Sequence, residues 1–195
     1  MSPALLSTFV SVLLTNFVDA QRFGLEIPEV HPALSWQKCT SSGGCTPQTG
    51  KVVLDANWRW YHVNNAATPC LEGIWPDELR LNQGCGLEGI PSYSDLGVTT
   101  SGNALRLQFF TSPGSGSPNV GSRVYLLAND NTYAVFKPLA QEIAFDVDVS
   151  TLECGIAVDI HFAEMAADGG IVESGGWNTA GAKYGTGYCA AQCET

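Results

Sequence analysis

Short stretches in which apolar and polar residues alternate predict β-strands along most of the chain. They are rich in Val, Ile, Phe, Trp and Tyr, and turn-forming runs such as Ser41-Ser42-Gly43-Gly44 separate them. No segment carries a 3.6-residue apolar period over three turns, so we predict no long helix. The pattern therefore indicates an all-β, antiparallel sandwich. The predicted strands cover residues 51–55, 58–63, 104–110, 121–127, 141–149 and 155–163.

The first twenty residues have a different pattern. An apolar run from Ala4 to Val18 leads into Val18-Asp19-Ala20, which places small residues at the −3 and −1 positions of a cleavage site. We therefore expect residues 1–20 to be a signal peptide and the protein to be secreted and extracellular. A membrane anchor is the alternative, but about fifteen apolar residues fall short of the ~20 that span a bilayer.

Charge narrows the range of partners. The chain carries 9 Lys and Arg against 19 Asp and Glu, a formal net charge of −10. Nucleic acids and anionic membranes attract cationic surfaces, so we expect neither as a partner. Charged residues make up only 14% of the chain and hydrophobic residues 45%, so a sizeable core can form. A neutral partner fits this composition best.

Seven cysteines suit an oxidising, extracellular compartment, although an odd number leaves at least one unpaired. No pair has the C-x-x-C spacing, and His31, His62 and His161 are scattered. We therefore predict no metal site, and nothing implies an organic cofactor.

Two tryptophans suggest a binding surface. In Asp55-Ala56-Asn57-Trp58-Arg59-Trp60 the indoles stand two residues apart, which on a strand places them on one face. Flat aromatic rings so spaced can stack on successive sugar rings. The alternative is that both are core residues, because tryptophan is on average highly buried. From this spacing alone the core interpretation is favoured, while the low charge and the secretion favour sugar binding.

A series of motifs carries a family resemblance that extends over residues 30–193. The motifs are His31-Pro-Ala-Leu-Ser-Trp-Gln-Lys-Cys39-Thr, Gly43-Gly-Cys45-Thr, Val53-Leu-Asp-Ala-Asn-Trp-Arg-Trp60, Gly97-Val-Thr-Thr-Ser-Gly-Asn103, Asn119-Val-Gly-Ser-Arg-Val-Tyr-Leu126, Phe145-Asp-Val-Asp-Val-Ser150, Asp168-Gly-Gly170 and Ala180-Gly-Ala-Lys-Tyr-Gly-Thr-Gly-Tyr-Cys189. Together they closely resemble glycoside hydrolase family 7, the secreted cellobiohydrolases and endoglucanases. The resemblance implies a concanavalin-like jelly-roll β-sandwich of curved antiparallel sheets, whose concave face holds a cellulose chain. It also implies retaining hydrolysis of β-1,4-glucosidic bonds.

The resemblance also defines what the chain lacks. Retaining glycosidases use two carboxyl groups, which this family places in a Glu-x-Asp-x-x-Glu strand. That spacing does not occur in the 195 residues. We therefore expect residues 21–195 to be the N-terminal part of the catalytic domain, the C-terminal half of the jelly roll being absent, with no catalytic residue of its own. Asp146 and Asp148 share a predicted strand face and offer an alternative dyad, but a solvated outer face is the favoured interpretation. Asp159 and Glu164 are interpreted in the same way.

Other roles follow from the resemblance, residue by residue. It implies disulfides Cys39–Cys45 and Cys70–Cys85, with Cys154, Cys189 and Cys193 left over. It departs from this chain at His161, where the family has a tyrosine, and at Ala190, where it has an aspartate. The implied substrate-binding residues are Asn57, Trp58, Arg59, Trp60, Asn119, Arg123, Tyr188 and Gln192.

Three hypotheses for the chain remain open at this point. The first is a truncated cellulase that is inactive alone, with cellulose or another β-1,4-glucan as its partner and a monomeric state. The second is a non-catalytic, secreted β-glucan-binding protein. The third is a structural or misfolded fragment, because half a sandwich exposes apolar faces and unpaired edges.

Overall fold

A computed structural model of the chain describes residues 29–63, 85–112, 118–173 and 178–188. Several sequence predictions lie outside the described residues. They are the signal peptide, the substrate contact Gln192, the unpaired Cys189 and Cys193, and the disulfide Cys70–Cys85. Within the described ranges, no helix has the length and apolar character needed to cross a bilayer.

The described residues form short antiparallel strands joined by turns and three single-turn 3-10 helices. This confirms the predicted all-β class. The 3-10 helices cover Ala56–Trp58, Ser94–Leu96 and Ala182–Tyr184. The strands are β1 (Trp36–Thr40), β2 (Gly44–Gln48), β3 (Lys51–Leu54), β4 (Tyr61–Val63), β5 (Cys85–Leu87), β6 (Val98–Ser101), β7 (Ala104–Leu107), β8 (Phe110–Thr111), β9 (Asn119–Val120), β10 (Val124–Asn129) and β11 (Thr132–Tyr133).

A three-stranded sheet of order β11-β10-β3 carries the core. In its register Val124 lies opposite Leu54 and Tyr125 lies opposite Val53. Val53 and Leu54 are fully buried on opposite faces of β3, because successive side chains of a strand point in opposite directions. The predicted strand 51–55 is thus confirmed as β3. The other described strands pair in four two-stranded antiparallel ribbons, β1-β2, β4-β5, β6-β7 and β8-β9.

The β1-β2 hairpin contains the disulfide Cys39–Cys45, as the resemblance implied. The two cysteines are direct partners in the register of the hairpin. The Ser41–Gly44 turn joins the strands, and Gly44 adopts a φ of 73°, which glycine reaches without strain.

Residues 178–188 pack across the end of β3. At Gly185 φ is 72°, and a side-chain carbon there would lie 2.1 Å from the carbonyl oxygen of Leu54. Only glycine permits so close an approach of two backbones. The amide of Ala56 donates to the carbonyl of Gly185 over 3.1 Å, so this segment is fixed to the chain just beyond β3.

Several predicted strands differ from the structure. Residues 58–60 are not strand, because a 3-10 helix occupies Ala56–Trp58 and β4 begins only at Tyr61. The predicted strand 104–110 divides into β7 and the start of β8, and the predicted strand 121–127 becomes β10, shifted to 124–129.

The predicted strands 141–149 and 155–163 are wrong as strands, and together with the turn between them we call them the 141–163 segment. Their alternation is present, but no ladder to these residues occurs in the described part of the chain. A strand is defined by backbone hydrogen bonds to a neighbour, which alternation alone does not supply. The apolar side chains consequently stay exposed, at 56% for Phe145 and Val147 and 60% for Ile160.

Candidate functional site

Asp55 organises the residues that follow β3. It caps the first 3-10 helix, and its Oδ1 accepts a hydrogen bond from the amide of Asn57 over 2.7 Å. Its side chain is 3% exposed. A buried carboxylate is costly unless it is paired. Its cationic partner is Arg123, the residue before β10, and a second partner is Tyr125 in β10.

Arg123 and Tyr125 both donate to Oδ2 of Asp55. The Nε of Arg123 lies 2.8 Å from this oxygen, and the hydroxyl of Tyr125 also hydrogen-bonds to it. Burial, together with the hydrogen bond to Asp55 and its charge, raises the pKa of Tyr125 above its usual range. Tyr125 therefore remains a hydroxyl donor to Asp55.

Aromatic rings flank the guanidinium of Arg123. Its Cζ lies 4.2 Å from the ring centroid of Tyr188 and 5.5 Å from that of Trp58. Both distances permit cation–π attraction. The side chain is 30% exposed, so part of its planar fork of donors faces solvent, where it can bind hydroxyl groups. We call Asp55, Trp58, Arg123, Tyr125 and Tyr188 the Arg123 cluster.

Tyr188 reaches the cluster from the 178–188 segment. The amide of Asn178 donates to the Gly169 carbonyl over 2.7 Å and to the Thr186 hydroxyl over 2.8 Å. The hydroxyl of Tyr133 donates to the carbonyl of Thr186 over 2.7 Å. These buried bonds fix the backbone two residues before Tyr188. The ring of His161 lies 6.3 Å from that of Tyr188, so the histidine that departs from the family pattern borders the cluster.

The two tryptophans have different environments. Trp58 packs against the core that contains Leu54 and Tyr93. Trp60 is 48% exposed and stacks on the ring of His62. The environment of Trp58 fits the core interpretation, whereas Trp60 is exposed, as the sugar-binding interpretation requires. The expectation that a strand places both on one face is wrong, because the 3-10 helix changes the backbone between them.

Arg59 is a correction to the expected site. Its side chain is fully buried and pairs with Glu29, with Nη1 2.6 Å and Nη2 2.8 Å from the two carboxylate oxygens. It also donates to the carbonyl of Leu54 over 3.0 Å. The guanidinium is thus enclosed rather than presented to a ligand. Its hydrogen bond to the carbonyl of Leu54 stabilises the start of the 55–60 segment.

Glu29 is the acceptor at the centre of this buried group. Burial alone would raise its pKa, but hydrogen bonds from His31, Arg59 and Tyr93, with the charge of Arg59, lower the pKa of Glu29 to about 2. The hydroxyl of Tyr93 donates over 2.6 Å and the amide of Ile90 over 3.2 Å. Arg59, Ile90 and Tyr93 together donate hydrogen bonds to both carboxylate oxygens of Glu29.

The remaining expected contacts are less concentrated. Asn57 is exposed beside Trp58. Asn119 is half-buried, and its amide nitrogen donates to the carbonyls of Leu96 and Gly121 over 3.2 and 3.0 Å. That nitrogen shapes the turn before Arg123 and offers less to a ligand than we expected.

The alternative carboxylate dyad gains no support. Asp146 and Asp148 are exposed, and Oδ1 of Asp148 accepts from the hydroxyl and the amide of Ser150 over 2.7 and 3.0 Å. These bonds lower the pKa of Asp148 and close a turn. Among the described residues, no group of three or more His, Cys, Asp and Glu could hold a metal ion.

Comparison with known proteins identifies the family. The profile of glycosyl hydrolase family 7 matches residues 23–195. A cellobiohydrolase from Melanocarpus albomyces complexed with cellotetraose is 43% identical with a TM-score of 0.78, over 88% of this chain and 41% of that one. A family 7 cellobiohydrolase from Daphnia pulex is 35% identical with a TM-score of 0.74, over 88% and 40%. The native endocellulase EGI from Humicola insolens is 36% identical with a TM-score of 0.71, over 88% and 44%.

These similarities cover most of this chain but only about two fifths of the length of the solved relatives. The relatives share its antiparallel jelly-roll architecture, which confirms the expected fold class. The chain belongs to glycosyl hydrolase family 7.

Proposed function

We propose that the chain binds β-1,4-glucan as the N-terminal part of a secreted, cellulose-degrading glycoside hydrolase, and that the 195 residues alone bind without cleaving. The single observation that carries this proposal is the half-exposed indole of Trp60, at the end of the 55–60 segment, which contributes Asp55 and Trp58 to the Arg123 cluster. An aromatic face and a planar hydrogen-bond donor are what a pyranose ring requires, because its C–H faces are apolar and its rim carries hydroxyls.

Retaining hydrolysis is assigned to the family's pair of carboxyl groups rather than to this part of the sequence. The Glu-x-Asp-x-x-Glu spacing does not occur in it, and the only acidic side chain in the Arg123 cluster, Asp55, is committed to Arg123 and Tyr125. The substrate class is supported by the cellobiohydrolase whose structure was determined with cellotetraose.

A cellulose pull-down tests the binding. The Trp60→Ala variant should lose about tenfold in affinity, equivalent to roughly 1.4 kcal/mol, because it loses the stacking face. Phe109→Ala is the matched control, since Phe109 is similarly exposed at 44% but belongs neither to the 55–60 segment nor to the Arg123 cluster, and it should bind as the wild type does. Equal retention of the Trp60→Ala variant and the wild type would overturn the proposal.

The absence of cleavage is tested separately, by incubating the purified chain with cellotetraose and measuring reducing ends. We expect no release of shorter sugars. Release that persists in the Trp60→Ala variant and in repurified protein would contradict the assignment of hydrolysis to other carboxyl groups.

A stand-alone β-glucan-binding protein is the second candidate function, because Trp60 and the Arg123 cluster, which would contact the sugar, both lie within this sequence. Sequencing the transcript beyond the codon for Thr195 separates the two. An open frame that encodes Glu-x-Asp-x-x-Glu supports the enzyme, and a stop codon supports the binding protein.

A further inference from the structure

We propose that His62 and Glu88 are positioning residues that fix the indole of Trp60 in the orientation that binds the glucan. The inference rests on the proposed function, because it assumes that Trp60 contacts the sugar. It adds two residues that neither the sequence motifs nor the Arg123 cluster contains.

The β4-β5 ribbon places the three side chains together. His62 lies opposite Gly86 in the register, and the amide of Glu88 donates to the carbonyl of Trp60 over 3.0 Å. Trp60 directly precedes β4, its ring stacks on that of His62, and Glu88 lies across from Trp60. Gly86 opposite His62 leaves room on that face for the aromatic rings.

The imidazole of His62 supports one face of the indole. The ring centroids lie 4.0 Å apart with an interplanar angle of 20°, which is a parallel stack. The side chain of His62 is only 2% exposed, whereas Trp60 is 48% exposed. The exposed area of Trp60 therefore belongs to the edge and the face that His62 does not cover, and a sugar ring would contact that face.

Glu88 in turn holds the imidazole. Its Oε1 lies 2.5 Å from Nε2 of His62, and its side chain is 9% exposed. Its Oε2 is buried and has no hydrogen-bond partner in the described part of the chain. The hydrogen bond between this carboxyl group and Nε2 fixes the plane of the imidazole ring. A buried carboxylate with one oxygen unpaired is costly, and an apolar pair would pack in its place at lower cost. We attribute its presence to the orientation that it imposes on His62 and, through that ring, on Trp60.

A fixed ring improves binding by lowering the entropy lost when the ligand binds. An exposed tryptophan that samples several rotamers must be immobilised by its ligand, and preorganisation removes this cost. Immobilising one such side chain corresponds to about a three- to tenfold change in affinity. His62 immobilises the Trp60 side chain by stacking on it and does not itself contact the sugar.

The test measures cellotetraose affinity for six forms of the full chain: wild type, Trp60→Ala, His62→Ala, the double variant of these two, Glu88→Gln and the control Leu87→Ala. We expect His62→Ala to weaken binding by about three- to tenfold and the double variant to bind no more weakly than Trp60→Ala. Glu88→Gln retains an acceptor of the same shape and should lie between the wild type and His62→Ala. Leu87→Ala is the control for general destabilisation, because Leu87 is 4% exposed and points to the other face of the same ribbon. It should leave the affinity of the folded protein unchanged.

The outcomes separate the two proposals. If Trp60→Ala weakens binding and His62→Ala does not, the positioning role is wrong and the glucan site stands. If Trp60→Ala binds as the wild type does, both proposals are wrong. If His62→Ala and Trp60→Ala weaken binding additively, His62 acts independently of the indole and the positioning role is overturned.

Proton NMR tests the stack without altering a buried residue. The wild-type ring protons of His62 should be shifted upfield by the indole above them. In the Trp60→Ala variant, whose altered side chain is half exposed, these resonances should move downfield. Unchanged His62 resonances would show that the rings do not stack in solution, and the inference would fail.

Discussion

The core around β3 and the 141–163 segment both have strand-like sequences but lie in opposite environments. Val53 and Leu54 are 0% exposed, while Phe145 is 56% and Phe162 58% exposed. Both stretches carry β-branched residues, although residues 52–54 are continuously apolar and only the 141–163 segment alternates apolar with polar residues. The difference is that β10 pairs with β3 and the 178–188 segment packs on it, whereas no described strand pairs with the 141–163 segment. Alternation therefore predicts which side chains share a face, and only a covering layer makes that face a core.

The largest expected effect comes from breaking the buried ion pair beneath the 55–60 segment. Glu29→Gln leaves the enclosed guanidinium of Arg59 without its countercharge, which should lower the free energy of unfolding by about 4 kcal/mol. The control, Glu142→Gln, changes the same atoms at an exposed position of the 141–163 segment and should have an effect within about 0.5 kcal/mol. Urea denaturation of both variants checks this. A loss of under 1 kcal/mol for Glu29→Gln would contradict the enclosed pair.

A matched pair of leucines gives the next largest effect. Leu54→Ala removes a fully buried side chain and should cost about 3 kcal/mol, as transfer energy is lost and a cavity forms. Leu139→Ala, at a residue 92% exposed just before the 141–163 segment, should have an effect within about 0.5 kcal/mol. Similar losses at both positions, measured by denaturation, would mean that the two regions do not differ as described.

Acid should lower the free energy of unfolding through the buried Glu29 of the core, and not through the exposed 141–163 segment. The pKa of Glu29 falls from 4.5 to about 2 on folding, so its stabilisation is present above pH 4.5 and is lost as the pH falls towards 2. Between pH 5 and pH 3 the free energy of unfolding should fall by about 2 kcal/mol from this group. Urea denaturation at each pH measures the slope, and Glu29→Gln should flatten it. An equally steep slope in the variant would assign the acid sensitivity to other groups.

His31 acts in the opposite direction at higher pH. Burial alone would lower its pKa, but hydrogen bonds to Glu29 and Asp130 raise it above 6.5. Its contribution is therefore complete below pH 6.5 and is lost as the pH rises through the raised value.

The smallest expected change in stability is at the 141–163 segment itself. Phe145→Ser should alter the free energy of unfolding by less than about 0.5 kcal/mol, because the ring is already exposed. The same variant should bind less of a hydrophobic dye, since it reduces an apolar patch. Dye fluorescence and denaturation are measured on the same samples. Destabilisation by more than 2 kcal/mol would indicate that Phe145 is covered in solution.

The sequence predicts features that depend on neighbours along the chain. β3 and the glycine turn of the first hairpin follow from local chemistry, and the disulfide Cys39–Cys45 follows from the family resemblance. The strands β1 and β2 of that hairpin are not among the predicted strands. The 3-10 helix at Ala56–Trp58 was missed, although Asp55 before Asn57 is a capping signal that favours a helical turn.

Features that depend on distant neighbours were not predicted. Glu29 and Arg59 are 30 residues apart, and Glu88 and His62 are 26 apart. No periodicity connects such positions. The motif alone therefore predicts that Arg59 binds the ligand, whereas the fold shows that Glu29 holds its side chain in the interior.

Asp55 has a consequence for anyone who redesigns the specificity of this protein. One carboxylate caps a turn, holds the guanidinium of Arg123 and accepts from Tyr125. Replacing Arg123 alone with a residue of different selectivity would leave the buried carboxylate of Asp55 without its cationic partner. Libraries should therefore vary positions 55 and 123 jointly, for instance as Asp55→Asn with Arg123→Gln, so that charge is conserved while the recognition chemistry changes.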